Sequence, residues 1–223
     1  MNKDQKVAVV TGSMGAIGSA LVAKLESIGI KCISVDLKGP EKCDFTDIKS
    51  VRNLAQKLAS EHAQIDYLFN VSGIGVYKSI NDLTLEEWTN SLAVNLTAPF
   101  VLSKFLISNM SKSKNSPMIL NIGSGMGVIP SKGRSAYCSS KFGLRGLSLS
   151  LSKELNQLGV DVSLLTLGSV MTPFGTGGID TRLELRRSGK KYLTVDEVTQ
   201  KVIEIMKAEI RDSEYVMYPE GYI

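Results

Sequence analysis

Tyr137 and Lys141 stand four residues apart in a Ser-Ala-Tyr-Cys-Ser-Ser-Lys segment, and Ser124 lies thirteen residues before the tyrosine. If this segment is helical, the two side chains share one face, and the lysine ammonium can lie within several ångströms of the phenol. The pKa of a free tyrosine is about 10, and a fixed neighbouring cation lowers that pKa towards neutrality. Such a tyrosine can protonate an alkoxide or deprotonate an alcohol. The spacing therefore predicts proton transfer, although a helix face without a catalytic role shows the same short pattern.

A glycine-rich turn near the start of the chain predicts a phosphate-binding loop. A β-branched run predicts a strand over residues 6–10, and a helical pattern follows over residues 16–28. The glycines between them permit a tight turn, a close approach to a pyrophosphate and close packing of the helix on the strand. The phosphates would then lie at a helix N-terminus. The residues predicted to surround them are Gly12, Ser13, Met14, Gly15, Ala16, Ile17 and Gly18.

A carboxylate at the end of the second predicted strand favours NAD as the cofactor. The strand over residues 31–35 ends in Asp36, eighteen residues after Gly18. A carboxylate at this place accepts hydrogen bonds from the adenosine ribose and repels a 2′-phosphate. Lys38 keeps NADP open as the less favoured alternative, because a cation there could attract that phosphate.

Together these motifs resemble those of the short-chain dehydrogenase/reductase family, and the resemblance extends from Lys6 to about Pro219. The glycine turn is similar to the family's Thr-Gly-x-x-x-Gly-x-Gly motif. The segment Asn70-Val71-Ser72-Gly73 stands where the family has Asn-Asn-Ala-Gly. The catalytic residues that the resemblance implies are Asn95, Ser124, Tyr137 and Lys141.

The resemblance also implies how a cofactor would bind. Residues 168–172 resemble the family's Pro-Gly-x-x-x-Thr motif, with Leu167 in place of the proline, and would hold the nicotinamide carboxamide. Residues 44–46 resemble its adenine-contacting Asp-Val-Thr. Besides the glycine turn and Asp36, the implied cofactor-binding residues are Leu37, Asp44, Phe45, Asn70, Val71, Ser72, Gly73, Tyr137, Lys141, Gly168, Val170 and Thr172.

The function that follows is an oxidoreductase that moves a hydride between a nicotinamide cofactor and a carbonyl or secondary alcohol, with Tyr137 as general acid or base. Two alternatives stay open. A non-catalytic nucleotide sensor on the same fold would not need the catalytic residues. An epimerase or dehydratase shares Tyr-x-x-x-Lys, but little of this chain remains after Thr172 for a sugar-binding lobe.

Alternating strand and helix patterns predict an α/β architecture with helices on both faces of a mainly parallel sheet. We expect a single-domain Rossmann fold over residues 1–223, with a doubly wound sheet of six to seven strands. The strands are predicted at 6–10, 31–35, 66–70, 117–122, 160–166 and 214–218. The helices are predicted at 16–28, 47–60, 85–111, 135–157 and 194–208.

One connection is too short for the usual helix. Only seven residues separate Asp36 from Asp44, whereas a parallel crossover needs about a dozen. We therefore expect the helix between strands 2 and 3 to be missing and the third strand to be very short. Gly39-Pro40 would form a turn instead, leaving the adenine end of the cofactor groove more open.

Residues 174–193 are predicted to form a short substrate lid, with glycines at 175, 177 and 178 as hinges. Its basic residues could attract a carboxylate, a phosphate or a carrier-bound thioester, or they could simply form a solvated helix face. They are Arg182, Arg186, Arg187, Lys190 and Lys191.

The composition is that of an ordinary globular protein, with 223 residues, 43% of them apolar and 22% charged. A net charge of +4 gives no case for nucleic-acid binding, and no apolar run approaches the length of a membrane span. Three cysteines without paired spacing and the lack of a secretory signal predict the cytoplasm. The single histidine predicts no metal site. The family resemblance implies a homodimer or homotetramer, paired through the helices near 97–111 and 135–157.

Overall fold

The computed structural model describes residues 5–175 and 177–221, which contain one seven-stranded parallel sheet. The strands are β1 (Val7–Thr11), β2 (Lys31–Asp36), β3 (Glu41–Lys42), β4 (Tyr67–Asn70), β5 (Met118–Ser124), β6 (Asp161–Leu167) and β7 (Glu214–Met217). Their order across the sheet is β3-β2-β1-β4-β5-β6-β7. The direction of winding changes between β1 and β4, and such a point opens a crevice at the carboxyl ends of the strands. The predicted doubly wound Rossmann fold is confirmed.

Helices cover both faces of this sheet. They are α1 (Ala16–Ser27), α2 (Ile48–Glu61), α3 (Leu85–Leu92), α4 (Ala98–Met110), α5 (Ser135–Leu155), α6 (Gly178–Arg187) and α7 (Val195–Lys207). Alternate residues of a strand point to opposite faces. Val9 of β1 accordingly packs in one core with α2 and α4, whereas Val10 packs in a second core with α1 and α7.

The single helix predicted over residues 85–111 is continuous but changes its geometry in the middle. Ala93–Thr97 forms a π-helical segment between α3 and α4, and a segment of this kind is frequent at functional sites. By length and composition the continuous helical stretch Leu85–Met110 could cross a membrane, but 56% of its most apolar part is buried inside the fold. Core packing of α4 therefore accounts for its hydropathy.

The connection between β2 and β3 contains no helix, as expected. The backbone N–H of Gly39 donates to the Asp36 carbonyl at 3.4 Å, and that of Cys43 donates to the same carbonyl at 3.1 Å. These two bonds close a compact turn. Because β3 has only two residues, the sheet offers little surface beyond β2.

The predicted lid contains a helix, α6, that the sequence patterns did not reveal. Two hydrogen bonds join the end of the lid to the chain just before the lid. The Leu193 N–H donates to the Ser169 carbonyl at 2.8 Å, and the Met171 N–H donates to the Leu193 carbonyl at 2.9 Å. Thr176 in this segment lies outside the described residues, as do residues 1–4 and 222–223 of the predicted domain. The segment from 174 to 193 thus leaves and rejoins the fold at one place.

Candidate active site

A cavity of 880 Å³ opens at the carboxyl ends of the strands. Most of the residues predicted for the cofactor and for catalysis lie in its wall. They are Gly12, Met14, Gly15, Ala16, Ile17, Gly18, Asp36, Leu37, Asp44, Phe45, Val71, Ser72, Gly73, Ser124, Tyr137, Lys141, Gly168, Val170 and Thr172. The fold therefore brings together motifs that are far apart in the chain.

Three predicted site residues lie behind this wall. The Ser13 side chain is buried and its N–H donates to the Val35 carbonyl at 3.2 Å, so this N–H is committed to the fold. Asn70 is buried and donates to Asn121 Oδ1 at 2.8 Å, which ties β4 to β5. Asn95 is buried as well. The Ser13 and Asn70 side chains point into the fold, and contact of these two residues with a cofactor stays a prediction.

The glycine turn has the close approaches that exclude side chains. Gly12 has a φ of 66°, and a Cβ there would lie 2.8 Å from the Ser72 backbone. A Cβ on Gly18 would lie 2.0 Å from the Gly12 carbonyl oxygen. The turn and the start of α1 can therefore pack only with glycine at these positions, which leaves an open cradle at the helix N-terminus. This cradle fits a pyrophosphate.

Asp36 lies at the end of β2, beside the glycine turn. Its Oδ2 accepts a hydrogen bond from the Met14 N–H at 3.1 Å, and its Oδ1 accepts a long one from the Lys38 N–H at 3.4 Å. These backbone donors orient the carboxylate at the cavity wall. The chain thus presents a negative charge where an adenosine ribose would lie.

Tyr137 and Lys141 lie on the cavity side of the first two turns of α5. The Lys141 ammonium lies 5.8 Å from the centroid of the Tyr137 ring and donates to the Ile122 carbonyl at 2.9 Å. Lys141 is only 5% exposed. Burial lowers the pKa of its ammonium to about 8, so the group is poised to lose its proton only slightly above neutral pH.

Asn95 connects this pair to the rest of the site. Its Oδ1 accepts from the Ile74 N–H at 2.9 Å, while its Nδ2 donates to the Ile74 carbonyl at 2.9 Å and to Ser140 Oγ at 2.9 Å. Ser140 Oγ in turn donates to the Tyr137 carbonyl at 2.8 Å. The asparagine in the π-helical segment therefore fixes the loop after β4 against the start of α5.

Ser124 ends β5 and faces the cavity. Its Oγ accepts from the Met126 N–H at 3.2 Å, which opens the short 3-10 turn Gly125–Gly127. A Cβ on Gly127 would lie 2.8 Å from the Lys141 carbonyl oxygen, so this turn packs directly on α5. Ser124 and the Tyr137–Lys141 pair are thereby held on neighbouring walls of one cavity.

Aromatic rings close the cavity around Tyr137. Tyr77 meets the Tyr137 ring edge to face at 5.5 Å between centroids, and Phe174 of the lid lies at 5.9 Å. Burial raises the pKa of the Tyr77 phenol. The two rings shield one side of the Tyr137 phenol from water.

Three further wall residues were not singled out from the sequence: Arg134, Phe174 and Tyr192. Arg134 stands three residues before Tyr137, so helical spacing could have indicated a shared face. No local pattern marks Phe174 or Tyr192, because only the path of the lid brings them to the cavity. Of the basic lid residues, Arg182 and Lys190 reach the wall, whereas Arg186, Arg187 and Lys191 are exposed outside it.

Two motifs near the lid also reach the cavity. Gly168 follows β6, and Thr172 is buried at the wall, where its Oγ1 accepts from the Phe174 N–H at 3.4 Å. Within residues 5–175 and 177–221, no group of three or more His, Cys, Asp or Glu side chains is placed to hold a metal ion. The chemistry of this wall is that of a dinucleotide site beside a tyrosine and a lysine.

Comparisons with known proteins agree with this geometry. The short chain dehydrogenase family model matches residues 40–182. D-threitol dehydrogenase of Mycolicibacterium smegmatis is 30% identical over 190 residues, which are 77% of this chain and 73% of that protein. The 3-oxoacyl-(acyl-carrier-protein) reductase of Haemophilus influenzae is 32% identical over 182 residues, 75% of each chain.

A solved structure shows the same fold. A metagenomic short-chain oxidoreductase in complex with NADP is 27% identical, has a TM-score of 0.79, and is matched over 96% of this chain and 97% of its own. The curated relatives are enzymes, so they give the non-catalytic alternative no support. The chain therefore belongs to the short-chain dehydrogenase/reductase family and is an NAD(P)-dependent oxidoreductase of alcohol or carbonyl groups.

Proposed function

We propose that the enzyme interconverts a carbonyl compound and its secondary alcohol with NAD, and that Tyr137 is the general acid and base. The observation that carries this proposal is the buried Lys141 ammonium, 5.8 Å from the Tyr137 ring, in the cavity that also holds the glycine cradle. A bound nicotinamide supplies or accepts the hydride. The residues of the chain then have only to orient the substrate and move one proton.

The proton moves at the substrate oxygen. In reduction, the Tyr137 hydroxyl donates its proton to that oxygen while Ser124 Oγ donates a hydrogen bond to it. The positive charge of Lys141 favours the tyrosinate that remains. In oxidation, the tyrosinate takes the alcohol proton, and the same charge stabilises the starting state. Lys141 would also bind the hydroxyls of a nicotinamide ribose.

Asn95 would support a relay of the proton through water to Lys141. A Cβ on Gly73 would lie 3.2 Å from Asn95 Oδ1 and 3.8 Å from Lys141 Nζ. The missing side chain of Gly73 thus leaves a gap between an acceptor and a donor. Both groups border this gap, which supports a bridging water in it.

The lid and the Pro-Gly-like segment complete the cofactor site in this proposal. Gly168, Val170 and Thr172 would hold the nicotinamide carboxamide, and Asp44 with Phe45 would contact the adenine. Closure of residues 174–193 would bring the wall of the lid over the substrate. The whole chain would then act as one NAD-binding domain with a short lid.

NAD is favoured over NADP by the two charges at the end of β2. The Asp36 carboxylate lies in the cavity wall, whereas the Lys38 side chain is exposed and lies outside that wall. A 2′-phosphate would meet the anion first. Met14, at the wall of the glycine turn, supplies no compensating cation.

The first test is titration of the protein with NADH and with NADPH, followed by nicotinamide fluorescence. We expect tighter binding of NADH, weakened roughly tenfold in Asp36→Ala, since two or more hydrogen bonds to a charged group are lost. The matched control is Asp47→Ala, which removes a carboxylate that caps α2 outside the cavity. Tighter binding of NADPH by the unaltered enzyme would assign the cofactor to NADP.

The second test is Tyr137→Phe, which removes only the hydroxyl. We expect turnover of a ketone or alcohol substrate to fall at least roughly a thousandfold, because the acid–base step is lost, while NADH binding is unchanged. Tyr67→Phe is the matched control, since Tyr67 is equally buried but lies outside the cavity wall. Near-normal turnover by Tyr137→Phe would refute the assigned role.

We also propose a small, negatively charged substrate, a homodimeric or homotetrameric assembly, and a cytoplasmic location. Phe100 on α4 and Phe142 on α5 are each 42% exposed, which supports pairing through these helices. Cys32, Cys43 and Cys138 are unpaired, which suits a reducing compartment. Sedimentation of Phe100→Asp and Phe142→Asp against the unaltered enzyme would show whether the two faces hold subunits together.

A further inference from the structure

Three cationic side chains converge on the cavity wall at the end where Tyr137 lies. Arg134 precedes α5, Arg182 projects from α6, and Lys190 follows that helix. They reach the cavity from different elements, so their proximity is a product of the fold. Tyr192, five residues after the end of α6, lies in the same wall, near Arg182 and Lys190.

The contacts of these groups define one small subsite. The Arg182 guanidinium lies 5.7 Å from the centroid of the Tyr192 ring, and the Lys190 ammonium lies 5.4 Å from the same centroid. The Arg134 guanidinium lies 4.7 Å from the Tyr77 ring. We call Arg134, Arg182, Lys190 and Tyr192 the basic subsite.

The positive charge of the basic subsite is not balanced by the protein. In the part of the chain that the structure describes, none of its three cations forms a salt bridge. Burial and the two arginines lower the pKa of Lys190. Like charges held together without a counterion are unfavourable, so this arrangement calls for an anion from outside the chain.

Two buried polar atoms in the subsite also lack partners. Arg182 Nε and the Tyr192 hydroxyl are inaccessible and make no hydrogen bond within the described residues. Leaving such groups unsatisfied is costly in a folded protein. Both are donors, which means that an incoming acceptor would satisfy them and the surplus charge together.

The location assigns this acceptor to the substrate. The Arg134 guanidinium lies over the ring of Tyr77, and Tyr77 contacts the Tyr137 ring. Arg182 donates to the carbonyl of Phe174, whose ring also lies beside Tyr137. Arg134 Nη1 lies 3.1 Å from the sulfur of Met126, two residues after Ser124. The basic subsite is thus one ring away from the proton-transfer groups, at the β5 side of the cavity. The phosphate cradle belongs to the β1 side.

We propose that the substrate is an oxo acid, or the corresponding hydroxy acid, whose carboxylate binds in the basic subsite while its carbonyl lies at Ser124 and Tyr137. This inference rests on the proposed function and names its substrate class. In reduction, the carbonyl carbon accepts the hydride of the reduced nicotinamide, and the carbonyl oxygen accepts the Tyr137 proton. The carboxylate takes no part in bond making; it fixes the position of the reacting carbon.

Each member has a distinct task. The guanidinium of Arg182 presents planar donors that match a carboxylate. Tyr192 donates one neutral hydrogen bond, and Lys190 and Arg134 supply charge. Because the subsite is flanked by Tyr77 and Phe174, the carboxylate is separated from the reacting carbon by about one ring width. We therefore expect oxo acids with the two groups one or more carbons apart to be better substrates than those with adjacent groups.

The test compares each acid with its methyl ester, which has the same carbonyl but no charge. Acetoacetate and laevulinate, each paired with its ester, are reduced with saturating NADH by the unaltered enzyme and by Arg182→Gln and Lys190→Gln. We expect the acid-to-ester ratio of kcat/KM to fall roughly tenfold to a hundredfold in Arg182→Gln. Lys190→Gln should lower it less. Pyruvate and methyl pyruvate are the pair in which the carbonyl is adjacent to the carboxylate or ester group.

Arg186→Gln is the matched control, because Arg186 lies on the same helix but is exposed outside the cavity wall. It should leave the ratio unchanged. Arg182→Lys keeps the charge and should retain part of the preference for acids. If the ratio is the same in the unaltered enzyme, Arg182→Gln and Arg186→Gln, the basic subsite does not bind the substrate acid.

Two readouts separate failure of this inference from failure of the proposed function. Reduction of the acids and of the esters that is equally independent of Arg182 would keep the oxidoreductase mechanism and reject the carboxylate subsite. Absence of turnover for acids and esters alike would count against the proposed function. The basic subsite is then tested by calorimetry, in which glutarate and its uncharged analogue glutaramide are titrated into the NADH complex. Glutarate binding that Arg182→Gln abolishes upholds the subsite. A weaker affinity for NADH in Arg182→Gln, with unchanged glutarate binding, reassigns Arg182 to the cofactor.

Discussion

The two ends of the cofactor cavity are built differently. At the catalytic end, Tyr137 is 6% exposed and Lys141 is 5% exposed, and hydrogen bonds from three elements hold them. At the adenine end, Met14 and Leu37 are each 60% exposed, and the connection after Asp36 is a short turn. The catalytic end is packed and preorganised, whereas the adenine end is exposed.

This difference indicates where precision is needed. Proton transfer depends on the distance and orientation of the reacting groups, so small displacements reduce the rate. Binding of an adenine depends mainly on the area that it covers. The chain combines a hydrogen-bonded catalytic end with a short adenine end. Substitutions should therefore have large effects at the first and small effects at the second.

The largest combined effect on stability and turnover is expected from Asn95→Ala. The substitution removes three hydrogen bonds of about 2.9 Å that join the loop at Ile74 to Ser140 on α5. Unsatisfied buried groups and the loosened π-helical segment should lower the free energy of unfolding by roughly 2–4 kcal/mol. Displacement of the Tyr137–Lys141 pair should lower kcat by about a hundredfold. Urea unfolding and steady-state kinetics measure the two effects.

Asn109→Ala separates stability from catalysis. Asn109 is also buried, and its side chain donates to the Ala59 and His62 carbonyls, away from the cavity. This control should be destabilised to a similar extent but should keep its kcat per folded molecule. Equal losses of kcat in the two variants would show that the catalytic end has no special dependence on Asn95.

The next prediction concerns the buried ammonium of Lys141. Its pKa is about 8 in the folded protein, whereas that of a free lysine is 10.5. Below pH 8 the folded state must bury a charge, and between pH 8 and 10.5 the unfolded state binds more protons, so stability rises with pH in this window. Lys141→Met carries no such charge. Its stability advantage should shrink by roughly 3 kcal/mol between pH 7 and pH 10.5.

Thermal and urea unfolding across this pH range measure the difference between the two proteins. Lys153→Met is the control, since Lys153 is exposed on the same helix. Its difference from the unaltered protein gives the baseline for removing an exposed lysine from this helix. A flat difference for Lys141→Met would mean that the ammonium is solvated in the folded state, and the contrast between the two ends of the cavity would be weaker than described.

Much of the fold could be predicted from the sequence because its signals are local. The glycine turn, the β-branched strands and the missing crossover depend on neighbouring residues, and each agrees with the structure. The π-helical segment could not be predicted, since it depends on Asn95 meeting Ile74 and Ser140 from other elements. The helix α6 was missed because it is polar and exposed, without a periodic apolar face.

The site shows the same division. The Tyr137–Lys141 spacing and the glycines were visible because residues close in sequence form them. The wall position of Tyr192 depends on how the lid returns to the sheet at Leu193. Asn70 resembles a family motif, but its side chain binds Asn121 on the adjacent strand. A motif identifies the residue type, whereas the direction of its side chain is set by contacts across the sheet.

A smaller effect is expected from a substitution of Asp44, at the exposed adenine end. Its Oδ1 accepts from the Thr46 N–H at 2.9 Å and from Thr46 Oγ1 at 2.7 Å, and these bonds lower the pKa of the carboxyl. Asp44→Ala should weaken NADH binding by roughly threefold to tenfold, through loss of this turn and of a contact to the adenine. Fluorescence titration measures the change. If the loss exceeds a hundredfold, the adenine end is as demanding as the catalytic end.

The smallest effect, and the sharpest check on the comparison, is expected from Leu37→Ala. Leu37 lies in the cavity wall but is 60% exposed, so its truncation removes little buried area. The free energy of unfolding should change by less than about 0.5 kcal/mol, and NADH binding should weaken by only about two- to fivefold. Leu158→Ala, exposed and distant from the cavity, should change neither quantity. A loss of NADH affinity above tenfold would mean that Leu37 alone covers the adenine, in place of the missing helix between β2 and β3. Leu37 follows Asp36 directly, so such a result would mean that this one turn provides most of the affinity for adenosine. The adenine end would then be compact rather than open.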